Sequence, residues 1–215
     1  MILDFDDLYT TSTVPWDLGE PQPAVVAFER AGRLSGAVLD VGCGLGDNAI
    51  YLAGKGYRVT AIDAAAPAVE QARQRAVAHG VDVEFTVADA TTLTGFDGRF
   101  DTVLDSALYH CLADEHRTQY AAALHRATKP GARLNMLCFS DQTIGGVPSP
   151  LPVSEKNIRD TLTAGGWAIT DLTSGELLAL TEPSREFVEQ YPNAATDDKG
   201  RIAMPIWIVQ ADRVT

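Results

Sequence analysis

Two carboxylates and a run of glycines form the part of this sequence best suited to holding a ligand. The apolar run Val38-Leu39-Asp40-Val41 leads into Gly42-Cys43-Gly44-Leu45-Gly46, and a second run, Arg58 to Ile62, ends at Asp63. Glycines let a backbone turn sharply and approach a ligand where a Cβ would collide. The dinucleotide pattern G-x-G-x-x-G requires a further glycine at the position held by Asp47. A carboxylate at that helix start repels a pyrophosphate but tolerates a zwitterionic or cationic ligand. Asp40, two residues before Gly42, suits a positive amino group. Asp63 can accept from both hydroxyls of an unphosphorylated ribose. Each piece alone also reads as a tight turn or a helix cap; the combination points to a ligand with an amino-acid head and a free ribose.

Such a site needs strands that end together and helices that begin just beyond them. Short, continuously apolar runs predict strands over Ala37 to Val41, Arg58 to Ile62, Val83 to Val87, Thr102 to Asp105 and Arg133 to Phe139. That composition suits strands buried on both faces of a parallel sheet. Helices are expected over about Asp47 to Gly54, Pro67 to His79, Glu115 to Thr128 and Asn157 to Ala164. The second of these has Val69, Ala72 and Ala76 at helical spacing. Trp167 to Leu172 and Ile202 to Gln210 read as two strands joined by a long polar connection, able to run antiparallel at the sheet's far end. Pro205 is expected only near a strand start or at a bulge. Pro148, Pro150 and Pro152 mark a loop. Before Ala37, with Pro15, Pro21 and Pro23 as breakers, lies an arm and then a short helix over about Ala24 to Arg33. The expected organisation is a single domain: residues 1–35 as a lid of arm and helix, and residues 36–215 as the main body.

The run D-V-G-C-G-L-G followed by V-T-A-I-D resembles the class I, Rossmann-like S-adenosylmethionine-dependent methyltransferases. The likeness continues through Val87-Ala88-Asp89-Ala90, Phe100-Asp101-Thr102-Val103-Leu104-Asp105 and Lys129-Pro130-Gly131-Ala132-Arg133-Leu134. Val14-Pro15-Trp16-Asp17-Leu18-Gly19-Glu20-Pro21-Gln22-Pro23 additionally resembles the N-terminal arm of small-molecule members near the thiopurine, thiol/halide and heterocyclic-toxin methyltransferases. The resemblance implies an α/β three-layer sandwich with a mostly parallel seven-stranded sheet and an antiparallel strand near its C-terminal end. It implies S-adenosylmethionine as cofactor and S-adenosylhomocysteine as product. Asp40, Gly42 and Gly44 would meet the methionine moiety, Asp63 the ribose, and Asp89 with Ala90 the adenine, with Ala64 and Ala90 flanking the ring. Cys43 inside the loop, Asp105 at the fourth strand's end and Trp16 on the arm complete the expected surround. Cys43 is chiefly a small packing residue there.

Methyl transfer from a sulfonium is an in-line displacement, so holding the nucleophile against the methyl group and excluding water supply much of the catalysis. A base is needed only where the acceptor must lose a proton. In the loop Asp105-Ser106-Ala107-Leu108-Tyr109-His110-Cys111, His110 is the candidate base and Tyr109 the candidate substrate orienter, although His110 also reads as a packed structural histidine. Phe139, Ser140 and Asp141 are candidates for the acceptor wall, and Trp207 for the sheet core. Trp16 with Tyr9 can close over the cofactor. The loop lacks the Asn/Asp-Pro-Pro-aromatic run of amino-directed DNA methyltransferases, and the chain has no Pro-Cys nucleophile motif. The expected reaction is methylation at O, N or S of a small, largely apolar acceptor, heteroaromatic compounds included. The alternatives are a non-catalytic S-adenosylmethionine-binding sensor or scaffold and an NAD-dependent oxidoreductase.

Composition bounds the partners. The 215 residues carry a formal net charge of −12, with 17 Lys+Arg against 29 Asp+Glu. That charge repels a phosphate backbone, so no nucleic-acid partner is expected. Cys43, Cys111 and Cys138 have neither C-x-x-C spacing nor an even count, which indicates no disulfide framework and no metal site. They suit a reducing cytoplasm. No apolar run approaches the length of a spanning helix, so no membrane association is expected. The oligomeric state is left open.

Overall fold

The computed structural model describes residues 5–11, 13–192 and 194–214, so the first four residues of the arm lie outside it. Two helices, α1 (Phe5–Thr11) and α2 (Pro23–Arg30), precede β1 (Ala37–Val41), α3 (Asp47–Gly54), β2 (Arg58–Asp63), α4 (Ala66–His79) and β3 (Glu84–Val87). There follow β4 (Phe100–Ser106), a 3-10 turn at Tyr109–Cys111, α5 (Asp114–Ala127), β5 (Thr128–Phe139) and a small hairpin of β6 (Thr143–Ile144) and β7 (Val147–Pro148). The chain ends with α6 (Glu155–Ala164), β8 (Trp167–Leu180), α7 (Arg185–Val188) and β9 (Arg201–Arg213).

The main sheet has seven strands in the order β3-β2-β1-β4-β5-β9-β8. Neighbours are parallel from β3 to β5, and β9 runs antiparallel to both β5 and β8. This is the expected Rossmann-like sandwich. All five residues of β1 are buried, which is why the strand reads as continuously apolar apart from Asp40. Its side chains alternate between two cores. Leu39 and Val41 join Tyr120, Leu124 and Trp167 on one face, while Val38 joins Phe28, Leu52 and Val69 on the other. From β3 the chain crosses back to place β4 on the opposite side of β1. The carboxyl ends of β1 and β4 therefore flank the switch point where open α/β sheets bind ligands.

Five features differ from the sequence expectation. The arm contains α1, held by the contact of its Tyr9 with Leu45, Ala65 and Ala68. Seven residues are too few to be stable alone, so propensity gave little sign of it. β5 begins at Thr128 instead of Arg133, and its pairing with β4 shifts register between Phe100 and Thr102. Pro148, expected in a loop, pairs with Thr143 in the hairpin. The polar connection is also shorter than expected, because β8 continues to Leu180 and pairs there with Arg201. Pro205 lies inside β9, away from its start. Its carbonyl accepts from the Ser140 N–H just beyond β5. A strand residue points N and O to the same side, so the missing N–H falls where β5 has ended.

Candidate functional site

The loop after β1 is held open by backbone geometry. Gly42 and Cys43 donate their N–H groups to the Ile62 carbonyl at 2.8 and 2.9 Å, bending the loop over the end of β2. Gly42 and Gly44 have φ of +71° and +53°, values that L side chains rarely adopt. A Cβ at Gly42 would lie 2.8 Å from Leu108 Cβ, and one at Gly44 would lie 2.9 Å from the Tyr9 hydroxyl. Both neighbours therefore stand directly over bare backbone. Cys43, partly buried, donates its thiol to the Gly44 carbonyl at 3.7 Å and packs into the core around Val38. Burial keeps that thiol protonated.

Four aspartates at or beyond the carboxyl ends of β1 to β4 are each in a different state. Asp40 is buried, and neither of its side-chain oxygens has a hydrogen-bond partner among the described residues. Desolvation, then the charges of Asp105 and Asp63, push its pKa up to about 7; the amide of Ala49 pulls the other way without closing a hydrogen bond. Asp105, across the ladder on β4, is equally buried but fully engaged. Its Oδ1 accepts from Leu108 N at 2.8 Å and Tyr109 N at 3.4 Å, and its Oδ2 from the Tyr120 hydroxyl at 2.7 Å. Desolvation still raises it to about 6. Asp63 accepts from Gly44 N through one oxygen and Ala65 N through the other, both at 2.9 Å. Its pKa is raised by desolvation against the pull of these amides. Asp89 is exposed, and its Oδ1 accepts from the Thr91 amide and hydroxyl at 2.8 and 2.7 Å. Ala64, beside Asp63, is exposed, and Ala90, after Asp89, is partly buried.

Asp47 does not face this loop as a bare charge. It pairs with Arg75 of α4 at 3.3 Å, and the same guanidinium holds Asp17 of the arm in two bonds of 2.7 and 2.8 Å. Trp16 donates its indole N–H to the Tyr9 hydroxyl at 2.9 Å, and the two rings meet edge to face. The arm is fixed again where Gln22 mimics a strand neighbour. Its carboxamide donates to the Leu178 carbonyl at 2.9 Å and accepts from the Leu178 amide at 3.1 Å.

A bare, buried carboxylate beside a glycine cradle matches the aminoacyl ligand expected from the sequence, and the comparisons identify the family. The model of the methyltransferase domain matches residues 38–131. The 2-heptyl-1-hydroxyquinolin-4(1H)-one methyltransferase of Mycobacteroides abscessus is 34% identical over 202 residues, which are 93% of this chain and 88% of that protein. The chain belongs to the S-adenosylmethionine-dependent methyltransferases. A structure solved for the conversion of a disulfide bond into a thioacetal group during echinomycin biosynthesis superposes on the methyltransferase with a TM-score of 0.82. It is 36% identical and covers 98% of this chain and 90% of its own. Burkholderia thailandensis 1,6-didemethyltoxoflavin-N1-methyltransferase, solved with 1,6-didemethyltoxoflavin and S-adenosylhomocysteine, shares the fold at a TM-score of 0.65. It is 21% identical and covers 90% of this chain and 77% of its own. The NAD-dependent oxidoreductase alternative is thereby set aside.

On the acceptor side of the methyltransferase, the two candidate residues are both engaged within the chain. Tyr109, the candidate substrate orienter, is wholly buried beside Tyr120, and its hydroxyl donates to Asn157 Oδ1 at 2.9 Å. Arg117 covers its ring at 5.2 Å, and burial raises its pKa to about 12. His110, the candidate base, is held at one ring nitrogen. Its Nδ1 already accepts the Phe139 amide N–H at 3.1 Å, and its ring stacks on Phe139 with centroids 4.0 Å apart. Desolvation, then the Arg117 charge, lower its pKa to about 3. Asp105 fastens the 106–111 loop and α5 through its own oxygens. Of the candidate wall residues, Ser140 is buried and bonded to β9, while Asp141 is exposed. Trp207 lies in the core, donating to the Val153 carbonyl at 2.9 Å. Sequence reasoning gave no site role to Leu108 or Gln22 and named Tyr9 only as part of a lid. The single signal for Tyr9 was an aromatic residue close before Trp16.

Proposed function

We propose that this methyltransferase methylates O, N or S of a small, largely apolar acceptor, with ionisable heteroaromatic compounds the leading class. The observation that carries the cofactor half of this reading is Asp40, a buried carboxylate with no hydrogen-bond partner among the described residues, beside two glycines that tolerate no Cβ. Asp40 receives the ammonium of the cofactor's methionine moiety, and the backbone at Gly42, Cys43 and Gly44 lies along that moiety. Asp63 takes the ribose hydroxyls. Each of its oxygens already accepts one amide, and the remaining lone pairs are enough for the two hydroxyls. Asp89 accepts from the adenine amine through its other oxygen, and Ala64 and Ala90 flank the ring. Asp105 acts as a positioning residue that fixes the 106–111 loop. When bound, S-adenosylmethionine supplies an electrophilic methyl group: the acceptor's lone pair forms the new bond as the methyl–sulfur bond breaks, and the breaking pair stays on sulfur. Tyr9 and Trp16 close the arm over the reacting groups and exclude water, the lid role assigned to residues 1–35.

The acceptor class is supported by the apolar setting of Leu108, Phe139 and Trp16 and by the substrate named for the Mycobacteroides abscessus relative. The acidic charge and the three free cysteines support work in the cytoplasm on a small molecule, with no nucleic-acid partner. No helix among the described residues is long and apolar enough to cross a membrane. The test is incubation with labelled S-adenosylmethionine and a panel of thiols, phenols and hydroxylated heteroaromatics. Methylation of at least one class, with S-adenosylhomocysteine formed in equal amount, is expected. Cofactor binding with no transfer to any member would favour a binding protein instead.

A further inference from the structure

Five titratable side chains around the carboxyl edge, those of Asp105, Cys111, Tyr9, Asp40 and Asp63, are already committed in the reading above, and this constrains the acceptor. Asp105 accepts two amides and the Tyr120 proton donor. Cys111 donates to the Ala107 carbonyl at 3.6 Å, and burial pushes its thiol up to about 12. Tyr9 accepts from Trp16, and burial beside Asp63 holds its phenol in the neutral form. Asp40 and Asp63 lie at the cofactor's head and ribose in the reading above. His110 remains, on the loop whose Leu108 stands over Gly42. A backbone amide can only donate, so the Phe139 N–H fixes Nδ1 as the acceptor and leaves the ring proton on Nε2. Stacking on Phe139 holds the ring in that plane. Arg117 of α5 is the charged group whose field reaches the ring, and it opposes protonation.

We propose that His110 serves the acceptor as an Nε2–H hydrogen-bond donor and that the attacking atom arrives with no proton to surrender. The acceptor is then a thiolate, a ring nitrogen, or a hydroxyl on an electron-poor heteroaromatic ring that is already ionised. An anion attacking the sulfonium gives two neutral products, and a neutral ring nitrogen takes over the positive charge; neither case moves a proton during transfer. This inference rests on the small-acceptor reading.

The test is ¹⁵N NMR of the imidazole rings in the full chain loaded with S-adenosylhomocysteine, with His110→Gln assigning the signal. A neutral ring protonated at Nε2 from about pH 5 to about pH 9 is expected. A proton on Nδ1, or titration inside that window, would overturn the proposal. The measurement uses no acceptor, so it is decided separately from the acceptor class. A second arm uses thiophenols and hydroxylated heteroaromatics of graded acidity. The rising limb of kcat/KM should move with each acceptor's own pKa. His110→Gln can still accept from Phe139 and donate, and should lose no more than about tenfold. His110→Phe, which can do neither, should lose more. A limb fixed at one pH for every acceptor, with a loss of about 10²-fold or more in His110→Gln while S-adenosylhomocysteine still binds, would identify a base and refute the proposal.

Discussion

The ends of β1 and β4 lie side by side, and each carries a buried aspartate, yet the two ends are finished differently. Asp105 is surrounded by donors of its own chain, so its burial strengthens the fold and locks the loop that follows. Neither oxygen of Asp40 closes a hydrogen bond among the described residues, so its burial leaves a site that a cation from outside can complete. The difference separates scaffold from binding group, a distinction that burial and charge alone do not make.

Removing Asp105 should give the largest effect on the fold. Asp105→Ala strands the Tyr120 hydroxyl and the Leu108 and Tyr109 amides, and should cost about 3 kcal/mol in denaturant unfolding. A change below about 1 kcal/mol would mean that the loop does not depend on it. Asp40 should respond to pH instead. Its pKa is raised to about 7, so between the ordinary aspartate range and that value the folded chain holds a proton that the unfolded chain gives up. The associated stabilisation is complete in acid and is lost as pH rises through about 7. Without cofactor, wild-type stability should therefore fall relative to Asp40→Asn between about pH 5 and about pH 8. Parallel curves would contradict the reading. A smaller effect tests the arm. Gln22→Ala removes both bonds to Leu178 and should cost about 1 kcal/mol, with faster hydrogen exchange confined to the Leu178 amide and its surroundings. Unchanged exchange there would show that the arm is held by its other contacts alone.

The same contrast explains what the sequence revealed. The cofactor side was legible because its chemistry is local: strand, glycines and terminal carboxylate follow one another from Val38 to Gly46, and Asp63 ends the next strand. Strands β1 to β4 and helices α3 and α4 followed from periodicity within a residue or two. The acceptor side depends on contacts between distant parts of the chain. His110 is fixed by an amide on β5 that reaches Nδ1, and Tyr109 is bonded to Asn157 of α6. Asp47, read from sequence as a charge near the ligand, is claimed by Arg75 of α4. The long extension of β8 and β9 is likewise set by their mutual pairing, since few residues of β8 are fully buried.

Titration calorimetry of S-adenosylhomocysteine, run near pH 6.5 in two buffers of different ionisation enthalpy, tests the central claim about Asp40 most directly. Wild-type protein should release a proton on binding, because the arriving ammonium draws Asp40 into its charged form. Asp40→Asn should bind at least about tenfold more weakly and release none. Equal affinity in the two proteins, with no proton released by either, would contradict the account.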